Sequence, residues 1–219
     1  MGQEEEQFFA KEEGLLIVIS GPSCAGKGTV CRIVRERNPE IKLSISETTR
    51  KPRPEQVDPP KPAEQDGVDY FFISNEEFIK RIHQGNYLEY ARVYDHFYGT
   101  PRAYVANLLS TGYDVILEID IQGAAKVREN FKKGVYIFIA PPSMEELRRR
   151  IISRGTEDPE QMEMRLSCAY EEMTNADDYS YIVINDDKDV AAKQVEAIIL
   201  AEKCRTERLK NKVYEILDK

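Results

Sequence analysis

Leu15-Leu16-Ile17-Val18-Ile19-Ser20, followed at once by Gly21-Pro22-Ser23-Cys24-Ala25-Gly26-Lys27-Gly28-Thr29, is the stretch from which the rest of the chain is read. The unbroken apolar run has the length of one strand and predicts a strand buried on both faces, as in a parallel sheet. A glycine-rich turn follows, then a helix through roughly Val30 to Arg37. In that setting glycines let backbone N–H groups approach phosphate oxygens, and the helix presents its positive end to the same anion. Lys27 adds a full charge near the β- and γ-phosphates. Gly21, Pro22, Ser23, Cys24, Ala25, Gly26, Lys27, Gly28 and Thr29 are therefore the candidate loop for a nucleoside triphosphate. One residue departs from the usual pattern, which has Ser or Thr directly after the lysine. Gly28 has no hydroxyl for Mg²⁺, so Thr29 serves or the metal is held through water. Glycine within a helix costs about 1 kcal/mol relative to alanine, which points to close packing at this position.

Working outward, strands and helices alternate. Lys42–Ser46, Tyr70–Ile73, Asp114–Asp120, Gly134–Ala140 and Tyr181–Ile184 read as strands. Ser74-Asn75-Glu76-Glu77 and Ser143-Met144-Glu145-Glu146 are capping-box signatures, each opening a helix. Thr100-Pro101 reads as a cap with a first-turn proline, Asp158-Pro159 as another helix start, and the segment from about Asp189 onward as helical. The class is α/β with a parallel sheet flanked by helices. Residues 52–67, rich in proline and charge, read as a loop, and the polar, acidic residues 1–13 as a flexible tail.

A chain of 219 residues with 41% hydrophobic and 32% charged residues fits one ordinary globular domain. No apolar run reaches membrane-spanning length, and no signal peptide opens the chain, so a cytoplasmic protein is expected. Cys24, Cys31, Cys168 and Cys204 form no Cys-x-x-Cys pair, and the histidines are His83 and His96 alone. Reduced thiols are expected rather than a structural zinc site. A net charge of −8 argues against broad nucleic-acid binding but leaves room for a locally basic pocket. Arg50 and Arg53 offer one, three residues apart on a segment stiffened by Pro52, placed to fork onto a single phosphate.

From this point the order of motifs is informative. Ser46 to Arg53, Gly67-Val68-Asp69-Tyr70-Phe71-Phe72, Tyr87-Leu88-Glu89-Tyr90-Ala91 and Tyr98-Gly99-Thr100 come first. Leu117-Glu118-Ile119-Asp120-Ile121-Gln122-Gly123, Ala140-Pro141-Pro142-Ser143, Ser153-Arg154-Gly155-Thr156 and Ile184-Asn185-Asp186-Asp187 follow. Over about residues 14–203 this set resembles that of the guanylate kinases. The resemblance implies a P-loop NTPase-type core with a small mixed GMP-binding lobe at about 48–104 and a helical lid at about 143–168. It also implies transfer of the γ-phosphoryl group of ATP to GMP, and to dGMP, with Mg²⁺. On matching positions, Arg50 and Arg53 hold the GMP phosphate and Tyr70 and Tyr98 add hydroxyl bonds. Glu89 accepts from guanine N1–H and the 2-amino group, and Ser46 donates to O6. Thr100 and Glu118 or Asp120 complete the guanine side. Asp120 also suits the orientation of Mg²⁺ and its waters. Arg150, Arg154 and Arg165 match the lid arginines that would act with Lys27 on the transferring phosphoryl group, and Asn185 matches a residue on the adenine or lid side.

Two segments depart from the family. The link between Arg53 and Gly67 is longer than usual and carries Pro59-Pro60-Lys61-Pro62, which predicts a bulging surface loop. The helical extension at 204–219 runs past the usual end, and its Leu209, Val213, Ile216 and Leu217 suit docking on the domain or a dimer contact, so monomer and homodimer both stay open. Two alternatives are a kinase for another nucleoside monophosphate and a catalytically inactive interaction module of the same fold. Glu89 with Ser46 speaks against the first, and the intact phosphate loop against the second.

Overall fold

The apolar run forms β1 (Leu16–Ser20), the middle strand of a five-stranded sheet in the order β11–β10–β1–β9–β2. The other strands are β2 (Ile41–Leu43), β9 (Asp114–Glu118), β10 (Val135–Ala140) and β11 (Tyr181–Ile184). All four pairings are parallel. The computed structural model describes residues 14–57, 60–93, 95–153 and 159–217, so the expected tail at 1–13 lies outside the described residues. The continuous run is explained by two cores. Leu15, Ile17 and Ile19 face α1 (Lys27–Arg37) and α7 (Lys188–Lys203), meeting Val30, Val34, Val195 and Ile199. Leu16 and Val18 face α3 (Arg102–Ser110) and α4 (Ile121–Asn130), meeting Leu109, Ala124 and Val127. Side chains alternate along a strand, so a strand covered on both faces needs apolar residues at every position. From β1 the chain crosses to β2 beyond β9, and from β9 it returns to β10 on the other side. That reversal opens a crevice at the carboxyl end of β1, where such sheets bind ligands.

A second, four-stranded sheet has the order β6–β3–β8–β7: β3 (Glu47–Thr48), β6 (Phe71–Phe72), β7 (Tyr87–Val93) and β8 (His96–Pro101). It is mixed, since β3 runs parallel to β6 and antiparallel to β8. Helix α2 (Asn75–His83) starts as expected, with the Ser74 hydroxyl accepting from Glu77 N–H at 3.2 Å. Its buried Phe78 stacks on Tyr87 at 4.5 Å and on Phe97 at 5.3 Å. Beneath it the Glu47 carboxylate accepts from Tyr87 Oη at 2.5 Å and pairs with Arg81. A buried carboxylate needs such partners.

Three local expectations change. Thr100 and Pro101 end β8, with Glu89 paired to Thr100 and Tyr87 to Pro101, and the expected helix α3 starts one residue later than read, at Arg102 with Pro101 as its cap. Strand pairing across the sheet outweighs the local capping signal. Of the expected strand at Lys42–Ser46 only Lys42 and Leu43 lie in β2, and Ser44 to Ser46 lead across to β3 in the second sheet. The C-terminal helix breaks at Cys204-Arg205, and α8 (Thr206–Leu217) follows with Val213, Ile216 and Leu217 exposed. The proline-rich link forms a short hairpin of β4 (Gln56–Val57) with β5 (Pro60–Lys61); Pro59 lies outside the described residues. Its base is tied, with Glu64 N–H donating to Arg53 O at 3.0 Å and Arg53 N–H donating to Glu64 Oε2 at 2.8 Å. Among the described residues no helix is long and apolar enough to cross a membrane.

Candidate active site

The turn after β1 and the first turn of α1 form the phosphate loop. Lys27 opens α1, earlier than the sequence placed the helix. Its ammonium lies back along the loop, donating to Gly21 O at 2.6 Å and Pro22 O at 3.0 Å. Burial pulls the Lys27 pKa down, and the carboxylates of Glu118 and Glu172 push it back up. Asn185, buried at the end of β11, donates through Nδ2 to Ala25 O at 2.7 Å and so fixes the loop's backbone. Arg150 comes from α5 (Met144–Ser153), whose first turn is capped by the Ser143 hydroxyl accepting from Glu146 N–H. It donates to Asn185 O at 2.9 Å, to Ala25 O at 3.4 Å and to Glu146 Oε1 at 2.9 Å. Cys24 turns its side chain into a small core shared by α5 and α6 (Pro159–Met173), built on Leu147, Ile151 and Ala169. Arg165 is half-buried on α6, and Arg154 lies outside the described residues. Thr29 is exposed on α1.

The second cluster lines the four-stranded sheet. Arg50 donates through Nε to Tyr98 Oη at 3.2 Å, and its guanidinium lies over the Tyr70 ring at 5.5 Å. Its opposite edge forms a two-point pair with Glu64, Nη2 to Oε1 and Nη1 to Oε2, both at 2.9 Å. That pairing raises the Arg50 pKa and lowers that of Glu64. Because Glu64 also accepts from Arg53 N–H, one carboxylate fixes both arginine positions. Two residues along β8 from Tyr98, and so on the same face about 7 Å away, Thr100 donates to Glu89 Oε1 at 2.6 Å. Glu89 is only 8% exposed, and burial pushes its pKa up; Thr100 opposes the shift and Asp120 adds to it. A Cβ on Gly123 would stand 3.0 Å from Glu89 Oε2, so a side chain there would press on the Glu89 carboxylate. Asp120 caps that helix, accepting from Gly123 N–H at 2.7 Å. Ser46 is half-buried at the junction of the sheets, its carbonyl accepting from Phe71 N–H.

The glycine-rich loop and the bay that ends in the buried Glu89 carboxylate both stand near Asp120. Over residues 13–202 the chain matches the family model described as guanylate kinase. The chain belongs to the guanylate kinase family. A guanylate kinase of Caldanaerobacter subterraneus subsp. tengcongensis is 55% identical over 92% of this chain and 94% of its own length. One from Clostridioides difficile is 50% identical over 95% of this chain and 97% of its own. The crystal structure of guanylate kinase from Anaplasma phagocytophilum superposes with a TM-score of 0.69 at 35% identity, covering 90% of each chain.

Within this family member, Glu118 lies beside the glycine-rich loop. A Cβ on Gly28 would stand 3.2 Å from Glu118 Oε1, and Lys27 opposes the rise that burial imposes on the Glu118 pKa. A serine at position 28 would thus press on the Glu118 carboxylate. Among the described residues no three His, Cys, Asp or Glu side chains group to hold a metal by themselves. Mg²⁺ is commonly held by one or two carboxylates together with substrate phosphates, and Glu118 beside the loop fits that use. Glu64 and Glu172 were not singled out in the sequence. Glu64 is separated from Arg53 by the whole hairpin, and Glu172 is one of several acids on α6; no spacing marks either.

Proposed function

We propose that the chain moves the γ-phosphoryl group of ATP to GMP or dGMP, giving ADP and GDP or dGDP, as a soluble cytoplasmic enzyme of purine nucleotide metabolism. The observation that carries this reading is Glu89, a buried carboxylate on the same sheet face as the Arg50–Tyr98 bay. Guanine offers adjacent N1–H and 2-amino donors, and one carboxylate offers two acceptors. Adenine lacks both donors and would leave the carboxylate unpaired, at a cost of about 1–3 kcal/mol or more. Ser46 donates to O6, Thr100 holds Glu89, and Arg50, Arg53, Tyr70 and Tyr98 bind the phosphate. Asp120 stands at the head of α4 between the base and the phosphate loop.

On the donor side the loop from Gly21 to Thr29 cradles the ATP phosphates, with Asn185 and Arg150 bracing its outer backbone. Glu118, and Asp120 through water, would hold Mg²⁺, which neutralises charge on the phosphates when bound. Phosphoryl transfer asks the protein mainly for alignment and cations. Lys27 supplies one, and Arg150, Arg154 and Arg165 supply others from the lid at about 143–168. Closure of that lid and of the lobe at about 48–104 excludes water as a competing acceptor. The oxygen of GMP that attacks is already anionic, so no side-chain base is needed. A coupled assay with ATP and Mg²⁺ across GMP, dGMP, AMP, UMP and CMP tests the reading; equal turnover of AMP and GMP would overturn it.

Two further outcomes follow from the acceptor bay. Glu64 grips the Nη1/Nη2 edge of Arg50, away from Tyr98, and so fixes how the guanidinium faces the bay. Glu64→Ala should raise KM for GMP about 10- to 100-fold with little change in kcat, since breaking a shielded ion pair leaves an unanchored charge. An unchanged KM would show that Arg50 needs no such anchor. Deleting residues 56–63 keeps Arg53 and Glu64 and removes the hairpin between them. Activity should stay within about tenfold, or roughly 1.4 kcal/mol; complete inactivation in a folded variant would show that the hairpin takes part in the reaction.

A further inference from the structure

Helix α6 brings a carboxylate to the phosphate loop that the reaction above does not use. Glu172 Oε2 accepts from the Ser23 backbone N–H at 3.3 Å. The side chain is half-buried, and the charges acting on it are Lys27, which favours its ionised form, and Asp120, which opposes it. Burial pushes its pKa up, so the contact depends on the loop N–H and the lysine. These are the groups a donor phosphate uses. One N–H serves one strong acceptor, and two anions beside one lysine repel each other.

We propose that Glu172 competes with the donor nucleotide's phosphates for the Ser23 N–H and Lys27, and so sets the affinity of the donor site. The inference rests on the reading of Gly21–Thr29 as that site. Its setting makes the competition more than local. Cys24 of the loop packs into the core formed with Leu147, Ile151 and Ala169, so α5 and α6 sit on the loop that Glu172 touches. Arg165 precedes Glu172 by seven residues on the same helix, about two turns away and on the same face. The carboxylate and a lid arginine thus share one helix, so a shift of that helix would move both.

Calorimetric titration of the full-length protein with ADP, in EDTA and in Mg²⁺, tests this. Glu172→Gln keeps the shape and removes the charge; Glu172→Ala removes both charge and acceptor. Both should bind ADP about 3- to 10-fold more tightly than the wild type in either medium, as expected for one partly exposed charge repulsion. KM for ATP should fall and KM for GMP should stay unchanged. Hydrogen exchange at the Ser23 amide should quicken in Glu172→Ala, which has no acceptor left, and less in Glu172→Gln, which keeps one. A residue that merely stabilised the loop would instead weaken ADP binding on removal. Weaker or unchanged ADP binding in both variants overturns the competition, and so does a loss confined to Mg²⁺, which would make Glu172 a holder of metal-bound water. Lys27→Met, titrated alongside, checks the underlying reading: if it binds ADP as well as the wild type, the donor-site assignment itself fails.

Discussion

Lys27→Met should lower turnover by about a thousandfold or more, on the order of 4 kcal/mol, while GMP binding stays within about twofold of the wild type. The two halves of this result have separate causes. A single cation aimed at the migrating phosphoryl group acts where charge is redistributed in the transition state, and in a water-excluded site that interaction is large. Methionine matches the length of the lysine stem but carries no charge. The acceptor bay is built from Arg50, Glu64, Tyr98, Thr100 and Glu89 on a different sheet, and none of their hydrogen bonds involves Lys27. The lysine also satisfies the carbonyls of Gly21 and Pro22, so some loss of stability accompanies the change. Steady-state kinetics at saturating ATP and GMP give the first quantity, calorimetry with GMP the second. Turnover within tenfold of the wild type would remove Lys27 from the chemistry.

The core was legible because its signals are local and mutually consistent. Every residue from Leu15 to Ile19 is apolar, and every one is buried, odd positions in one core and even positions in the other. The Ser74 and Ser143 caps depend on residues three positions apart, a distance the sequence displays directly. The acceptor lobe was less legible because its strands are made by pairing rather than by pattern. Tyr87–Val93 mixes Glu89 and Arg92 among apolar residues, and it becomes a strand by pairing with His96–Pro101. Thr100-Pro101 carries a helix-start signal, and the helix does follow at Arg102, but the pairing keeps both residues in the strand. For Glu118, resemblance supplied the residue, and geometry moved its carboxylate beside Gly28 and Lys27. Glu64 shows the limit most clearly. It reaches Arg50 and Arg53 only because the intervening hairpin returns the chain to its own starting point.

Glu89→Gln should raise KM for GMP about 100-fold or more, with the affinity for ATP nearly unchanged. The amide keeps the size of the carboxylate and one acceptor oxygen. Its other end is an NH₂ group that faces the guanine donors with donors of its own. A lost charge-assisted hydrogen bond and a donor–donor conflict in a buried site together amount to about 3 kcal/mol, which is roughly a 100-fold effect. The same carboxylate predicts a pH dependence. Burial raises the Glu89 pKa above that of an ordinary glutamate, and the nearby Asp120 adds to the rise. The ionised form is the one that accepts both guanine donors. As pH falls through the raised pKa, Glu89 takes up a proton and KM for GMP should climb, beginning at a higher pH than an ordinary glutamate would give. In Glu89→Gln this component should vanish, so subtracting the two profiles removes the titration of the GMP phosphate itself. Thr100→Val removes the hydroxyl that favours the charged form and should move the wild-type rise to still higher pH. Parallel KM profiles for wild type and Glu89→Gln would mean that the carboxylate does not meet the base, and guanine selection would then have to lie with other residues.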